Sequence, residues 1–206
     1  MTYGGNTMMK LERNFYVTDG LTLAKSLLGK VLVRESEEGI ASGIIVETEA
    51  YIGPEDKAAH TWKNRRTSRT EVIFGEGGYA YIYLVYGMHY CFNVTANIVG
   101  KPECVLVRAL EPLDGIELMK TRRRTNRVVN LTNGPGKLCC ALNITRELYG
   151  EDLCGERLYI VEYGRSDFEV EASPRIGIDY AEEYRAKLWR FCIKDSVYVS
   201  KKIPPA

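Results

Sequence analysis

Residues 79–95 alternate so strictly that little other than a β-hairpin accommodates them. One alternating set, Ala80, Ile82, Leu84, Tyr90, Phe92 and Val94, is apolar throughout; the other, Tyr81, Tyr83, Val85, His89, Cys91, Asn93 and Thr95, is mixed and partly polar. Successive strand residues point to opposite faces, so each set keeps one face only if an odd number of residues turns the chain. Tyr86-Gly87-Met88 supplies a three-residue loop, with glycine where unusual backbone angles are needed. The pattern predicts an apolar core face, Tyr83 and Asn93 together on the other face, and Tyr86 at the tip.

Other segments fit around this hairpin. Residues 30–34 and 42–52 read as strands, the second alternating Ile44, Val46, Thr48, Ala50 against Ile45, Glu47, Glu49, Tyr51. The chain then turns at Gly53-Pro54 and runs through a loop-rich stretch that delivers His60. Residues 21–28 follow helical apolar spacing and stop at Gly29. A strand over 103–110 breaks at Glu111-Pro112, and Asp114 caps a helix expected through Arg124. Asn133-Gly134-Pro135-Gly136 opens a helix over 137–142. Short strands follow near 157–162 and 190–194, the latter after a helix around 181–187. Hairpin-linked strands with scattered helices predict an α+β domain on a mostly antiparallel, curved β-sheet, with peripheral helices and a protruding β-hairpin. Residues 1–9 are expected as a loose tail and 10–206 as one domain.

With 206 residues, 45% of them hydrophobic, the chain can bury one substantial core. Its 28 basic and 27 acidic side chains nearly cancel, so total charge gives no sign of a polyanionic partner. Distribution says more. Residues 63–69 and 120–127 are basic islands that hold no acid, and they can present a cationic face or merely line solvated loops. Six cysteines show no Cys-x-x-Cys spacing, which argues against a structural zinc. Without a secretory signal the thiols are expected to stay reduced and packed. No apolar run approaches the roughly 18 residues of a membrane span. A soluble, cytoplasmic protein is expected.

Glu47 and Glu49 lie two apart on one strand face, hence roughly 7 Å apart. A carboxylate beside a reacting carbon can deprotonate water and stabilise positive charge, as an oxocarbenium-like transition state at a sugar C1′ demands. Two solvated acids on a surface strand are the plainer alternative. His60 could ligate a metal, transfer a proton, wall a pocket or face solvent; no metal-ligand spacing accompanies it. Because the opposite hairpin face already serves the core, the tyrosine face is available to stack a base. Tyr86, flanked by Met88, has the form of a wedge for a base stack. Gly134-Pro135-Gly136-Lys137 offers backbone N–H groups and a cation to phosphate, but is too short for a nucleotide loop.

Taken together, four ordered motifs resemble the alkyladenine (3-methyladenine) DNA glycosylases, the type without helix-hairpin-helix architecture. They are Val46-Glu47-Thr48-Glu49-Ala50-Tyr51 through His60, Tyr81-Ile82-Tyr83-Leu84-Val85-Tyr86-Gly87-Met88, Val105-Leu106-Val107-Arg108-Ala109-Leu110-Glu111-Pro112 and Asn133-Gly134-Pro135-Gly136-Lys137-Leu138. The likeness runs from about residue 14 to 200. It implies that Glu49, not Glu47, is the general base activating water against C1′, with Arg108 and backbone near His60 holding that water. It further implies that Tyr51, His60 and Tyr83 contact an extruded purine in duplex DNA, and that Asn93 obstructs the 2-amino group of guanine. Tyr86, with Met88, would fill the gap left in the duplex, and Arg65, Arg66, Arg69, Lys137 and Arg122 would meet phosphates. Water as nucleophile calls for no cofactor, no metal and no Schiff-base lysine, and one lesion calls only for a monomer. His89 departs from the aromatic usual in eukaryotic relatives, which leaves hypoxanthine and etheno adducts less firmly implied than alkylpurines. The rival readings are a non-enzymatic damaged-base or single-strand binder, which the acids at 47, 49 and 56 oppose by repelling phosphate, and a metal-dependent hydrolase using His60 with Glu49.

Overall fold

The computed structural model describes residues 2–3, 6–7, 9–164 and 166–203. Near the N-terminus β1 (Thr2–Tyr3) pairs with β2 (Asn6–Thr7); positions 1, 4, 5 and 8 of the expected tail lie outside the described residues. After α1 (Arg13–Tyr16) and α2 (Gly20–Ser26) come β3 (Val31–Ser36), β4 (Gly39–Ile52), β5 (Ala80–Val85), β6 (His89–Ala96) and β7 (Glu103–Pro112). Helices α3 (Ile116–Arg123) and α4 (Pro135–Ala141) follow, then β8 (Leu158–Val161), β9 (Val170–Ser173) and β10 (Arg190–Ile193). Strands β3 to β10 form one eight-stranded sheet in the order β5-β6-β7-β4-β10-β9, with β3 on β4 and β8 on β3. Every pairing is antiparallel, and the fold is α+β.

Strand β4 organises this sheet. One edge pairs with β7, while the other is shared by β3 along Gly39–Ile44 and by β10 along Glu47–Glu49. Two extra residues interrupt the β4–β7 ladder: Val46 lies between the Ile45–Leu110 and Glu47–Ala109 pairs, and Arg108 between Ala109–Glu47 and Val107–Thr48. Such bulges bend a strand and re-aim a side chain. Here they fall where β4 changes partner and where Arg108 must reach the carboxylates.

One face of the sheet carries α2 and α4 and the main apolar core, which includes Leu23, Leu27, Leu138, Leu142, Phe92, Val94, Val105 and Val107. Asp19 caps α2, its carboxylate accepting from the N–H groups of Leu21 and Thr22 at 3.0 and 2.9 Å. The helix ends at Ser26, two residues short of the expected 21–28 span, and Gly29 follows at φ +80°. Thr48 Oγ1 donates to Ala24 O at 2.8 Å, tying α2 to the catalytically suggestive strand.

Three sequence expectations need correction. Asp114 does not cap α3; Gly115 does, at φ +70°, while Asp114 accepts from Ser42 Oγ at 2.8 Å. Residues 179–186 form 3-10 turns broken at Ala181 and Glu182 rather than a helix over 181–187, because only Ala181 supplies a buried anchor. The hairpin has the foreseen three-residue loop, with Val85 opposite His89, but Leu84 is exposed instead of core. Only Asn93–Ala96 of β6 pairs with β7, so the distal hairpin stands clear of the sheet.

The turn that leads from β4 to His60 is packed against neighbouring chain. A Cβ added at Gly53 would lie 2.0 Å from Thr61 Oγ1 and 2.8 Å from Pro102 O, and Thr61 already donates to that carbonyl. Gly53→Ala is expected to cost about 1–3 kcal/mol, the usual penalty of overpacking. Urea unfolding checks this; an unchanged midpoint would show that the turn has room to spare.

Candidate active site

Antiparallel pairing carries one row of side chains across the sheet: Tyr81, Asn93, Leu106, Glu49, Arg190 and Ser173 stand opposite one another in successive strands. They share the face away from α2 and α4, with Tyr51 and Tyr83 two residues along their strands. Segments far apart in sequence thus converge on Glu49.

Glu49 is fully buried. Tyr51 OH donates to its Oε2 at 2.9 Å, Arg108 Nη1 reaches the same oxygen at 3.3 Å, and the Ile176 N–H donates to Oε1 at 2.7 Å. Glu47 is equally buried but more heavily engaged. Its Oε1 accepts from Arg108 Nε at 3.0 Å, Arg190 Nε at 2.7 Å and Ser200 Oγ at 2.8 Å, and its Oε2 from the Ser200 N–H at 2.5 Å. Asp56 likewise meets four donors, two from Arg175 at 2.5 and 2.8 Å and the N–H groups of Ile52 and Ala58. An ionised carboxylate offers about four acceptor sites. Glu47 and Asp56 each meet four donors; Glu49 meets three, two on Oε2 and one on Oε1.

Three buried acids face three buried arginines, 108, 175 and 190. Arg108 is the shared member, its bulged position letting one guanidinium span Glu47 and Glu49. Arg175 lies between the rings of Tyr51, at 4.7 Å, and Trp189, at 5.0 Å, and donates to Ala50 O. It thereby backs Tyr51, while the next residue supplies the N–H that holds Glu49. Burial, and then the Glu49 charge, push the Tyr51 phenol well up, so it stays a donor.

Tyr51, Tyr81 and Tyr83 belong to one cluster with Ile73 and Cys104. His60 meets Tyr83 edge-on at 4.7 Å, and Tyr81 lies 5.3 Å from Tyr83 at a 33° tilt. His60 Nδ1 is 2.8 Å from Tyr81 OH, and Arg69 Nη2 is 3.2 Å from Nε2. The same Nη2 lies 3.4 Å from His60 Nδ1. Burial, then Arg69 and Arg65, push His60 down to about 4. Asn93, buried, donates through Nδ2 to Tyr81 O at 3.1 Å.

Tyr86, 89% exposed, and Met88, 72% exposed, crown the protruding hairpin, with Tyr86 held at φ +51°. A non-glycine residue in that region is strained, and such strain gathers at working positions. The basic residues divide. Arg66 pairs with Glu71 at 2.5 Å, an acid just past the island, and Arg122 is held by Glu38 and by Ala141 O. Lys137 bonds Asn133 Oδ1 at 2.8 Å and lines, with Met88 and Arg123, a groove of about 870 Å³ below the hairpin. Arg65 and Arg69 meet no carboxylate among the described residues.

Thus Glu49, Tyr51, His60, Tyr83, Asn93 and Arg108 gather at one site, and Tyr86, Met88 and Lys137 lie apart at the hairpin side. The backbone N–H that meets Glu49 is that of Ile176. Sequence reasoning also missed Arg175, Arg190 and Ser200 as members of the network. Among the described residues no group of three His, Cys, Asp or Glu side chains could hold a metal, and no helix is long and apolar enough to cross a membrane.

The site is a buried network of carboxylates and arginines set against aromatic rings on one face of an antiparallel sheet. Residues 14–197 match the family model of methylpurine-DNA glycosylase. A protein of Desulfitobacterium hafniense (strain Y51) is 50% identical over 203 residues, covering 95% of this chain and all of its own length. Relatives from Clostridium novyi (strain NT) and Clostridium botulinum (strain Hall) are each 49% identical over 203 residues, covering 95% and 94% of this chain and all of theirs. All three are provisionally named 3-methyladenine DNA glycosylases. The chain belongs to the methylpurine-DNA glycosylase family and is a hydrolase of N-glycosyl bonds that serves DNA repair.

Glu47→Gln must turn an amide NH₂ toward a donor whichever way it rotates, and it leaves Arg108 and Arg190 short of one negative charge. It is expected to cost about 3 kcal/mol or more, as breaking a buried ion pair does; a denaturation midpoint equal to wild type would contradict that. For His60, the folded value lies below the 6.5 of an ordinary histidine. Its neutral form is therefore favoured by folding, so this contribution to stability is full above about 6.5 and declines as pH falls toward 4. Histidine C2–H resonances followed by NMR should show His60 unmoved between pH 6 and 8; a midpoint near neutrality would refute this environment.

Proposed function

We propose that the protein excises damaged purines from duplex DNA by base extrusion and water-mediated cleavage, with Glu49 as the general base. The observation that carries this reading is the placement of Glu49: fully buried, paired with Arg108, bonded to Tyr51 and held by three donors where Glu47 has four. A water donating to Glu49 gives its proton to the carboxylate as its oxygen bonds to C1′. The electron pair of the breaking C1′–N bond leaves with the base. For 3-methyladenine or 7-methylguanine that pair neutralises the positive charge already on the purine, so no general acid is required. Arg108 steadies the carboxylate, and the negative Glu49 offsets the oxocarbenium-like charge.

A base within a duplex is out of reach and must be turned out, at a cost of a few kcal/mol that is least for damaged or mispaired bases. In this reading Tyr86 and Met88 enter the space vacated, Tyr51, His60 and Tyr83 contact the purine, and Asn93 obstructs the 2-amino group of normal guanine. Arg65, Arg66, Arg69 and Lys137 serve the phosphates, Arg66 by exchanging Glu71 for one of them. Hypoxanthine and ethenoadenine are neutral while attached and would depart as anions unless protonated, which makes them slower members of the substrate set. Residues 10–206 act as one cytoplasmic glycosylase domain and as a monomer, without lyase activity.

Glu49→Gln preserves the shape of the site and removes the base. Release of purines from methylated DNA, followed by chromatography, is expected to fall about 10²- to 10⁴-fold. Binding to a duplex with a tetrahydrofuran abasic site should stay near wild type. Retained turnover in this variant would overturn the assignment.

A further inference from the structure

Resting on that reading of the pocket, we infer that Arg69 is its gate: in the DNA-free protein the guanidinium holds the stacking place on Tyr83 that an extruded purine needs. It yields that place by moving to a backbone phosphate. The Arg69 guanidinium carbon lies 4.9 Å from the Tyr83 ring centroid, and Nη2 lies 3.2 Å from His60 Nε2. Tyr81 already leans on Tyr83 and His60 meets it edge-on, so Arg69 covers the remaining approach for a flat ligand. A guanidinium is planar, delocalised and weakly hydrated, and so imitates an alkylated purine cation on an aromatic face.

The surroundings suit a side chain that leaves while its backbone stays. The turn beneath it is fixed by Thr67 N–H to Thr70 Oγ1 at 2.9 Å, Thr70 N–H to Thr67 O at 2.9 Å and Tyr149 OH to Ser68 O at 3.1 Å. No carboxylate among the described residues anchors Arg69, unlike Arg66 on Glu71, Arg122 on Glu38 and Lys57 on Glu182 and Glu183. Beside it opens a cavity of about 320 Å³ lined also by Lys57, Trp62, Arg65 and Tyr180. A phosphate there gains two cations once Arg69 swings out to join Arg65. The gate then makes base capture conditional on DNA: loose purines must compete with Arg69, whereas a purine attached to a phosphate chain draws its competitor away.

Two affinities that move in opposite directions test this. Free 3-methyladenine should bind DNA-free Arg69→Ala about two- to fivefold more tightly than wild type, the yield of one exposed cation–π contact. The same variant should bind the tetrahydrofuran abasic duplex more weakly, its log affinity against log salt shallower by about one phosphate contact. Arg69→Lys keeps charge but not plane, so it should gain free-base affinity and retain the wild-type salt slope. Free-base binding that weakens or stays level in Arg69→Ala, or an unaltered slope, overturns the gate. If wild type releases no purine from methylated DNA, the reading of the pocket itself falls; intact release with unshifted affinities removes the gate alone.

Discussion

Arg108 sits between two carboxylates with almost no water to help it, and most of the site follows from that placement. Burying ions costs several kcal/mol each, recovered only when every charge is paired and nearly every lone pair used. The protein meets that demand with Arg190 and Ser200 on Glu47 and with Arg175 on Asp56. Glu49 differs in meeting three donors rather than four, one of them the Tyr51 phenol. In the proposed mechanism Glu49 is the carboxylate that takes the proton of water, and the same network gives its neighbour on the strand an ionic setting between Arg108 and Arg190.

The sheet supplies the precision. Because β4 is flanked by β7 and β10 at Glu49, its position is set from both edges, and the residues opposite it, Leu106 and Arg190, come from strands held by their own ladders. The bulges at Val46 and Arg108 break the alternation in a compensating way, so Arg108 turns toward the acids without shifting the apolar face off α2 and α4. The distal hairpin has no third strand beside it, which leaves Leu84, Tyr86 and Met88 uncovered. A wedge needs that exposure; a catalytic carboxylate needs the reverse.

Much of this was legible because period-two alternation and loop parity are local. The strand bearing Glu47, Glu49 and Tyr51, the three-residue loop and the shared face of Tyr83 and Asn93 all follow from spacing alone. Arg175, Arg190 and Ser200 were not legible, since they contact residues 119 to 153 positions away and no sequence period marks such a meeting. Nor was the bulge at Arg108, which has no glycine to announce it. The basic island at 63–69 held no acid, yet Glu71 two residues on neutralises Arg66. Acids at 47, 49 and 56 suggested repulsion of phosphate, but three buried arginines cancel them, so that objection to a mere binding protein loses its electrostatic force.

Charge balance inside the site bears on how the proposed selection works. Tyr51 already has Arg175 against one face at 4.7 Å, and that cation is locked by Asp56. A ring whose quadrupole is engaged by a fixed cation attracts a second cation on its far face less strongly. Tyr51 is then a stacking surface that accepts charged and neutral purines nearly alike. Tyr83 differs, because its cation is Arg69, which is unanchored by any described carboxylate. Once that side chain is drawn off, the Tyr83 face is restored to full strength for a cationic purine. On the proposed reading, preference for alkylated bases belongs to the ring whose cation can depart, and shape discrimination to the rigid elements around it, Tyr51 and Asn93.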